Sequence, residues 1–358
     1  MTPSTTATTP ADMSTPDGDA TRRPAVAPDP PLPARMRAAG REVYGSVDVV
    51  GTLDRPRPEP GPDEVLVRVA AAGVDRGAWH LMAGLPHLVR LAGYGVRRPK
   101  EPVLGADLAG RVEAVGRDVT RFRPGDRVHG IGRGTFAEYV TTAEDRLAPT
   151  PEGLSDVEAA AVPISGITAL QGLREVGGLQ PGQHLLVVGA SGGVGSFAVQ
   201  VGKALGAEVT GVCSTPKVDA VRALGADHVV DHRTSEITDA GVRYDVILDI
   251  GGNRSLSHLR RALADDGTLV IVGGEGGGRV LGGVDRQARA LLLSPFVGPR
   301  LRTFIAGEDG ARLADLDAMV DAGQVTPLVD RTFPLEEAAA AIAHLEAGRA
   351  CGKVVLTT

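Results

Sequence analysis

The sequence predicts an α/β protein in which a doubly wound parallel sheet is set into a second, β-rich and barrel-like domain. Three observations predict it. Between about residues 163 and 272 short apolar runs alternate with helix-length segments, the pattern of strands buried on both faces of a parallel sheet. Ahead of them, from Arg37 to about Glu158, short alternating runs are separated by Gly/Pro turns. Behind them the chain closes on Val354–Leu356, a short apolar strand that needs an existing sheet to join.

Residues 1–35, from Met1-Thr2-Pro3 to Pro30-Pro31-Leu32-Pro33, are rich in Thr, Pro, Ala and Asp and almost free of large apolar residues. Such a segment cannot offset its chain entropy by burial, so disorder is expected. Residues 36–160 carry the first part of the β-rich domain. Val65-Leu66-Val67-Arg68-Val69 follows the turn Pro60-Gly61-Pro62-Asp63. Gly110–Val115 and Phe136–Val140 alternate apolar or small with polar residues, and Gly125-Asp126-Arg127-Val128 is a turn entering a strand.

Residues 161–307 are expected to form the parallel unit. Strands are predicted at His184–Val188, Glu208–Val212, His228–Val230, Tyr244–Asp249 and Thr268–Val272. Helices are predicted at Ile167–Val176, Ser196–Leu205, Pro216–Leu224 and Ser255–Leu263, with Pro216 at a first helical position. Residues 308–358 return to the first domain through helices at Leu313–Val320 and Leu335–Leu345 and the closing strand.

Composition removes several function classes. The formal net charge of −6 argues against a nucleic-acid partner, which calls for a basic face. No apolar run approaches the ~18 residues needed to cross a bilayer, and no apolar stretch near the N-terminus marks a secretory signal. The two cysteines, Cys213 and Cys351, are too few for a disulfide framework or a thiolate-built zinc site. A cytoplasmic enzyme with a small-molecule substrate, and no membrane or nucleic-acid partner, is the simplest reading.

The chemistry concentrates in Leu186-Val187-Val188-Gly189-Ala190-Ser191-Gly192-Gly193-Val194-Gly195-Ser196, a strand running through a glycine turn into a helix. In the register Ala190-x-Gly192-x-x-Gly195 it is a variant of the dinucleotide fingerprint. Gly192 lets the backbone approach a pyrophosphate, Gly195 allows close helix–strand packing, and the helix N-terminus offers unpaired N–H groups. A plain tight turn would use the same glycines, but strand, turn and helix together favour a nucleotide. A carboxylate expected at the next strand end in NAD sites is absent: Cys213 and Ser214 stand there, followed by Thr215 and Lys217. Hydroxyl and ammonium donors in place of a carboxylate point to NADPH. Ser214 or Thr215 also suits a helix N-cap.

These motifs resemble the medium-chain dehydrogenase/reductase superfamily, in its zinc-independent quinone oxidoreductase (zeta-crystallin-like) branch. The resemblance covers nearly everything after the N-terminal tail. It rests on Gly105-Ala106-Asp107-Leu108-Ala109-Gly110, Arg123-Pro124-Gly125-Asp126-Arg127-Val128, Gly134-Thr135-Phe136-Ala137-Glu138-Tyr139, Ala159–Pro163, the glycine turn, Leu224-Gly225-Ala226-Asp227 and Gly352-Lys353-Val354-Val355. It implies a Rossmann domain inserted into a GroES-like catalytic domain, a cleft between them as active site, and a homodimer. It further implies that Thr168 and Gly273 lie near the nicotinamide and Lys353 near the cofactor.

Zinc dehydrogenases of the superfamily carry Cys where this chain has Asp75, and His-Glu where it has Ala106-Asp107, so no metal is expected. His80 and His129 are more simply ordinary core or surface residues. The chain also departs from the quinone oxidoreductase pattern, which often has Asn where Asp75 stands, near the nicotinamide, and Tyr where His232 stands. No Ser/His/Asp set and no reactive-thiol motif is present, so no catalytic side chain is assigned; Trp79, His80 and Tyr139 are candidate cleft residues. The expected activity is hydride transfer from NADPH to a quinone, enone or other small carbonyl acceptor. An alcohol dehydrogenase and a non-catalytic NADPH-binding protein are the competing readings. Leu81–Lys100 and Leu291–Leu301 are expected to be loops that set acceptor specificity.

Overall fold

Val65, Leu66, Val67 and Val69, with the single Arg68 among them, build the first large strand of the chain. In the computed structural model, which describes residues 1–2, 32–239, 241–274 and 278–358, this strand is the spine of the β-rich part. Most of the expected disordered tail lies outside the described residues; Arg35, assigned to that tail, already belongs to a strand. β1 (Arg35–Gly40) pairs antiparallel with β2 (Gly51–Pro56). β3 (Glu64–Val74) follows, with Arg68 outward and Val65, Val67 and Val69 buried. Asp75 caps the helix α1 (Arg76–Ala83) by accepting from the Ala78 N–H at 3.0 Å, and Gly84 ends it in the left-handed region. A further turn, α2 (His87–Val89), precedes β4 (Asp107–Val115), β5 (Arg127–Ile131), β6 (Tyr139–Ala143) and β7 (Leu147–Pro149). A Ser155/Glu158 capping box opens α3 (Asp156–Ala160).

The parallel unit begins with α4 (Pro163–Leu170), β8 (His184–Val188), α5 (Gly193–Ala204) and β9 (Glu208–Cys213). It continues with α6 (Val218–Ala223), β10 (His228–Asp231), β11 (Tyr244–Asp249), α7 (Leu256–Ala262), β12 (Leu263–Ile271), α8 (Val284–Leu293) and β13 (Arg300–Thr303). The last elements are α9 (Gly310–Asp321), β14 (Val329–Pro334), α10 (Ala338–Glu346) and β15 (Lys353–Thr357).

The six-stranded parallel sheet runs β10-β9-β8-β11-β12-β13, the doubly wound order, with its crossover reversal between β8 and β11. Leu185, Val187, Leu248 and Val270 bury one face against Phe197 of α5. Leu186, Ile247, Leu269 and Ile271 bury the other against Leu259 and Ala290. Burial on both faces is why these strands read as unbroken apolar runs. In the second large sheet one edge of β3 pairs with β4; the other pairs with β6 along Glu64–Arg68 and with β15 along Ala71–Val74. The closing strand therefore joins the sheet of the first part, as the sequence predicts. Among the described residues no helix is long and apolar enough to cross a membrane.

Several boundaries differ from expectation. α5 starts at Gly193, three residues before the predicted Ser196, because glycines carry no side-chain signal of a helix. α4 starts at Pro163, which occupies a first-turn position where its missing N–H costs nothing. β12 extends back to Leu263 through Asp265 and Asp266, which are exposed and so broke the apolar pattern. The expected loop Leu291–Leu301 instead contains the end of α8, a 3₁₀ turn at Ser294–Phe296 and the start of β13.

Candidate active site

At the end of β8, Gly189 turns the chain with φ +93°, a conformation L side chains rarely adopt. Its N–H and that of Ala190 both donate to the Val212 carbonyl of β9, at 3.1 and 3.0 Å, and the Gly192 N–H closes the turn on the Gly189 carbonyl at 3.2 Å. The Ser196 N–H donates to the Gly192 carbonyl at 2.8 Å, so the N–H groups of Gly193, Val194 and Gly195 precede that bond at the helix N-terminus. A Cβ on Gly195 would lie 2.1 Å from the Gly189 carbonyl oxygen, whereas one on Gly192 meets nothing nearer than 3.6 Å. Gly195 is thus demanded by strand–helix contact, and the space above Gly192 is open. Open space over free N–H groups and a helix dipole is the environment a pyrophosphate fits.

The turn is tied to the other sheet. The Gly352 N–H donates to the Ser191 carbonyl at 2.8 Å, immediately before β15. Lys353 then runs its stem past Gly193, where an added Cβ would lie 2.9 Å from the Lys353 Cδ. Its Nζ donates to Asp107 Oδ2 at 2.7 Å, and Asp107 Oδ1 accepts the Ile164 N–H at 2.7 Å. Both side chains are buried. Burial pushes the Asp107 carboxyl up to about 6, against the pull of Lys353, and the charge of Asp75 adds to the rise. Gly73 of β3 faces the same carboxylate, 2.7 Å from its ideal Cβ to Asp107 Oδ2. Thr168 sits one turn along α4 from Ile164 and donates its hydroxyl to the Ile164 carbonyl at 2.6 Å.

Residues 61–152 match the alcohol dehydrogenase GroES-like domain, and residues 224–356 match a family described as zinc-binding dehydrogenase. The mitochondrial NAD(P)H oxidoreductase RTN4IP1 of Mus musculus is 34% identical over 335 residues, spanning 82% of each chain. The chloroplastic quinone-oxidoreductase QR1 of Triphysaria versicolor is 31% identical over 338 residues, spanning 90% of this chain and 98% of its own. The quinone oxidoreductase of Coxiella burnetii superposes with a TM-score of 0.77 at 26% identity, covering 90% and 99% of the two chains.

The chain belongs to the medium-chain dehydrogenase/reductase superfamily, in its quinone oxidoreductase-like branch.

Two further solved structures are similar to this medium-chain dehydrogenase/reductase. CurK enoyl reductase has a TM-score of 0.80 at 25% identity over 91% of this chain and 99% of its own. A mycobacterial protein complexed with NADPH has a TM-score of 0.77 at 27% identity, covering 90% of this chain and all of the other. The architecture is accordingly a Rossmann sheet inserted into a GroES-like domain, and the activity class is an oxidoreductase using a nicotinamide dinucleotide.

The other expected site residues of this dehydrogenase/reductase fall in three places. Ser214, Thr215 and Lys217 follow β9, beyond the glycine turn. Lys217 is not a free cation: its Nζ donates to the Gly348 and Ala350 carbonyls at 2.8 and 2.7 Å. The Thr215 hydroxyl beside Asp231, at the end of β10, holds the Asp231 carboxyl below the usual carboxylate range. A carboxylate therefore does stand beside these donors, supplied by the neighbouring strand, where sequence reasoning saw none. Gly273 follows β12, where an added Cβ would lie 2.3 Å from the Ile250 carbonyl.

Sequence reasoning also missed three pairs. Asp249, at the sheet's crossover reversal, is buried against Arg286 of α8, and burial raises its carboxyl pKa. His129 of β5 is fully buried, its Nε2 3.0 Å from Asp317 Oδ2 on α9 and its Nδ1 3.2 Å from the Ala159 carbonyl. Asp107 and Lys353 were each visible in a motif, but no spacing rule joins residues 246 positions apart. His80 bonds the Leu85 carbonyl through Nδ1 at 2.8 Å and meets Trp79 edge to face. Tyr139 is buried at the start of β6. Among the described residues no group of three or more His, Cys, Asp and Glu is arranged to hold a metal ion.

Proposed function

We propose that this protein reduces a quinone, an enone or another small carbonyl acceptor with NADPH, without a catalytic zinc. One observation carries the reading. Asp107, where zinc dehydrogenases of the superfamily have the Glu of His-Glu, is already committed on both oxygens, to Lys353 and to the Ile164 N–H. A buried carboxylate so engaged is a structural anchor, and neither Asp75 nor Ala106 offers a thiolate or imidazole to make a tetrahedral site.

The chain's own groups would act as follows. The N–H groups of Gly193, Val194 and Gly195 hold the pyrophosphate, with Ala190, Ser191 and Gly192 shaping the turn beneath it. Ser214, Thr215 and Lys217 face the adenosine end, where hydroxyls and a cation select the 2′-phosphate; Lys217 retains one donor beyond its two carbonyls. Thr168, Gly273 and Lys353 position the nicotinamide end. NADPH supplies the hydride when bound. A quinone needs little acid assistance, which suits a site without an assigned proton donor. Division of the chain at residues 36–160, 161–307 and 308–358 sets this chemistry in the cleft between the two domains.

The test is NADPH consumption with a quinone and an enone, with NADH and a metal chelator in parallel. Chelator-resistant turnover, faster with NADPH than with NADH, is the expected outcome. Activity abolished by the chelator overturns the zinc-free mechanism, and equal use of NADH overturns the phosphate assignment. The likeness to an enoyl reductase supports including the enone arm.

A further inference from the structure

Asp75 lies one residue beyond β3. The β3–β15 register pairs Val74 with Val354 and Gly73 with Val355, so its next step sets Asp75 opposite Lys353. Asp75 is extended, with φ −125° and ψ 176°, and so continues the strand's alternation onto the Gly73 face. That face is the one turned to Asp107. Two carboxylates thus stand beside one ammonium, and the ammonium is bonded to Asp107. Among the described residues no cation pairs with Asp75; its one hydrogen bond there is the α1 cap. The Lys353 stem lies over Gly193, so the surplus negative charge borders the glycine turn.

Of the parts of a nicotinamide dinucleotide, a surplus carboxylate repels the phosphates, leaves the neutral adenine, riboses and reduced ring almost untouched, and attracts only the oxidised ring. Hydride transfer removes a proton and two electrons from C4 of a neutral dihydronicotinamide and leaves the ring with one positive charge; the acceptor takes the hydride and, from water, a proton. We infer that Asp75 faces the nicotinamide and sets the protein's preference for oxidised over reduced cofactor, stabilising the charge that hydride donation creates. The inference rests on the cofactor reading above. Asp75 would favour hydride donation by a through-space charge effect, without accepting or donating a proton.

The test is titration of the full-length protein with NADP⁺ and NADPH by calorimetry and cofactor fluorescence. Wild type is compared with Asp75→Asn and Asp75→Ser, both of which keep an oxygen to cap α1. Two unit charges within several Å at a partly protein-lined site change an equilibrium by about tenfold or more. The expected result is a ratio of Kd for NADP⁺ to Kd for NADPH that rises about tenfold in both variants. NADPH affinity should change less than NADP⁺ affinity, and not downward, because its ring is neutral and its phosphates lose a repelling charge. In wild type the same ratio should rise with added salt, a measurement that needs no variant. An unchanged ratio overturns the inference, and a fall places Asp75 against the pyrophosphate instead and also overturns it. Wild type binding neither nucleotide overturns the cofactor reading, and the inference with it.

Discussion

The glycine turn between β8 and α5 and the ionic junction of Asp107 with Lys353 touch each other, yet they are built in opposite ways. The turn uses backbone alone: its fit depends on missing Cβ atoms, and its parts are contiguous in the chain. The junction uses side chains from β4 and β15, with the Ile164 N–H at the start of α4, and exists only when distant segments meet. The turn carries no formal charge and depends on space. The junction carries two buried charges and depends on pairing. The lesson is that the turn tolerates no added volume where helix and strand meet at Gly195, while its support tolerates almost no unbalanced charge.

That contrast can be broken by experiment. Lys353→Met keeps the length of the stem over Gly193 and removes the ammonium, leaving Asp107 buried without a counter-ion. A loss of about 3–5 kcal/mol is expected, read by urea unfolding; a loss below about 1 kcal/mol would mean the pair behaves like an exposed one. Asp107→Asn tests the same junction through pH. The Asp107 carboxyl, near 3.8 when unperturbed, is held at about 6 in the fold, so the native chain binds this proton more tightly than the unfolded chain. Its contribution is fully present below about pH 4 and lost as pH rises through about 6. The stability of wild type relative to Asp107→Asn should therefore fall by up to about 3 kcal/mol between pH 4 and 7. A flat difference would show that Lys353 fully offsets burial at this carboxyl, and a difference rising with pH that Lys353 governs it. Gly195→Ala places a methyl carbon against the Gly189 carbonyl and should cost about 1–3 kcal/mol. Its larger consequence should be lost nucleotide binding, measured by NADPH titration. Normal binding with reduced stability would erase the division of labour between turn and junction.

The same contrast explains what was legible in the sequence. The turn, its strand and its helix occupy one stretch, so pattern reasoning found them and misjudged only where α5 begins. The parallel strands were legible because burial on both faces leaves an unbroken apolar run. β1, β2, β13 and β14 were not assigned from the sequence. Each carries arginine or aspartate on an exposed side, which interrupts the apolar signal. Lys217 read as a free phosphate donor because the carbonyls that occupy it, Gly348 and Ala350, are more than 130 positions away. Asp231 was overlooked as a neighbour of Thr215 for the same reason: it arrives on the adjacent strand, not the same one.

The sequence by itself determined the fold class, the family and the glycine turn, because periodicity and the absence of Cβ atoms are local properties that no later contact can supply. Only the tertiary structure decided which charges are balanced. Asp107 meets Lys353, His129 meets Asp317, Asp249 meets Arg286, and Asp75 meets no cation among the described residues. Coulomb interactions depend on distance through space and on burial, and both are fixed only when β15 returns to β3 and the sheets close on each other.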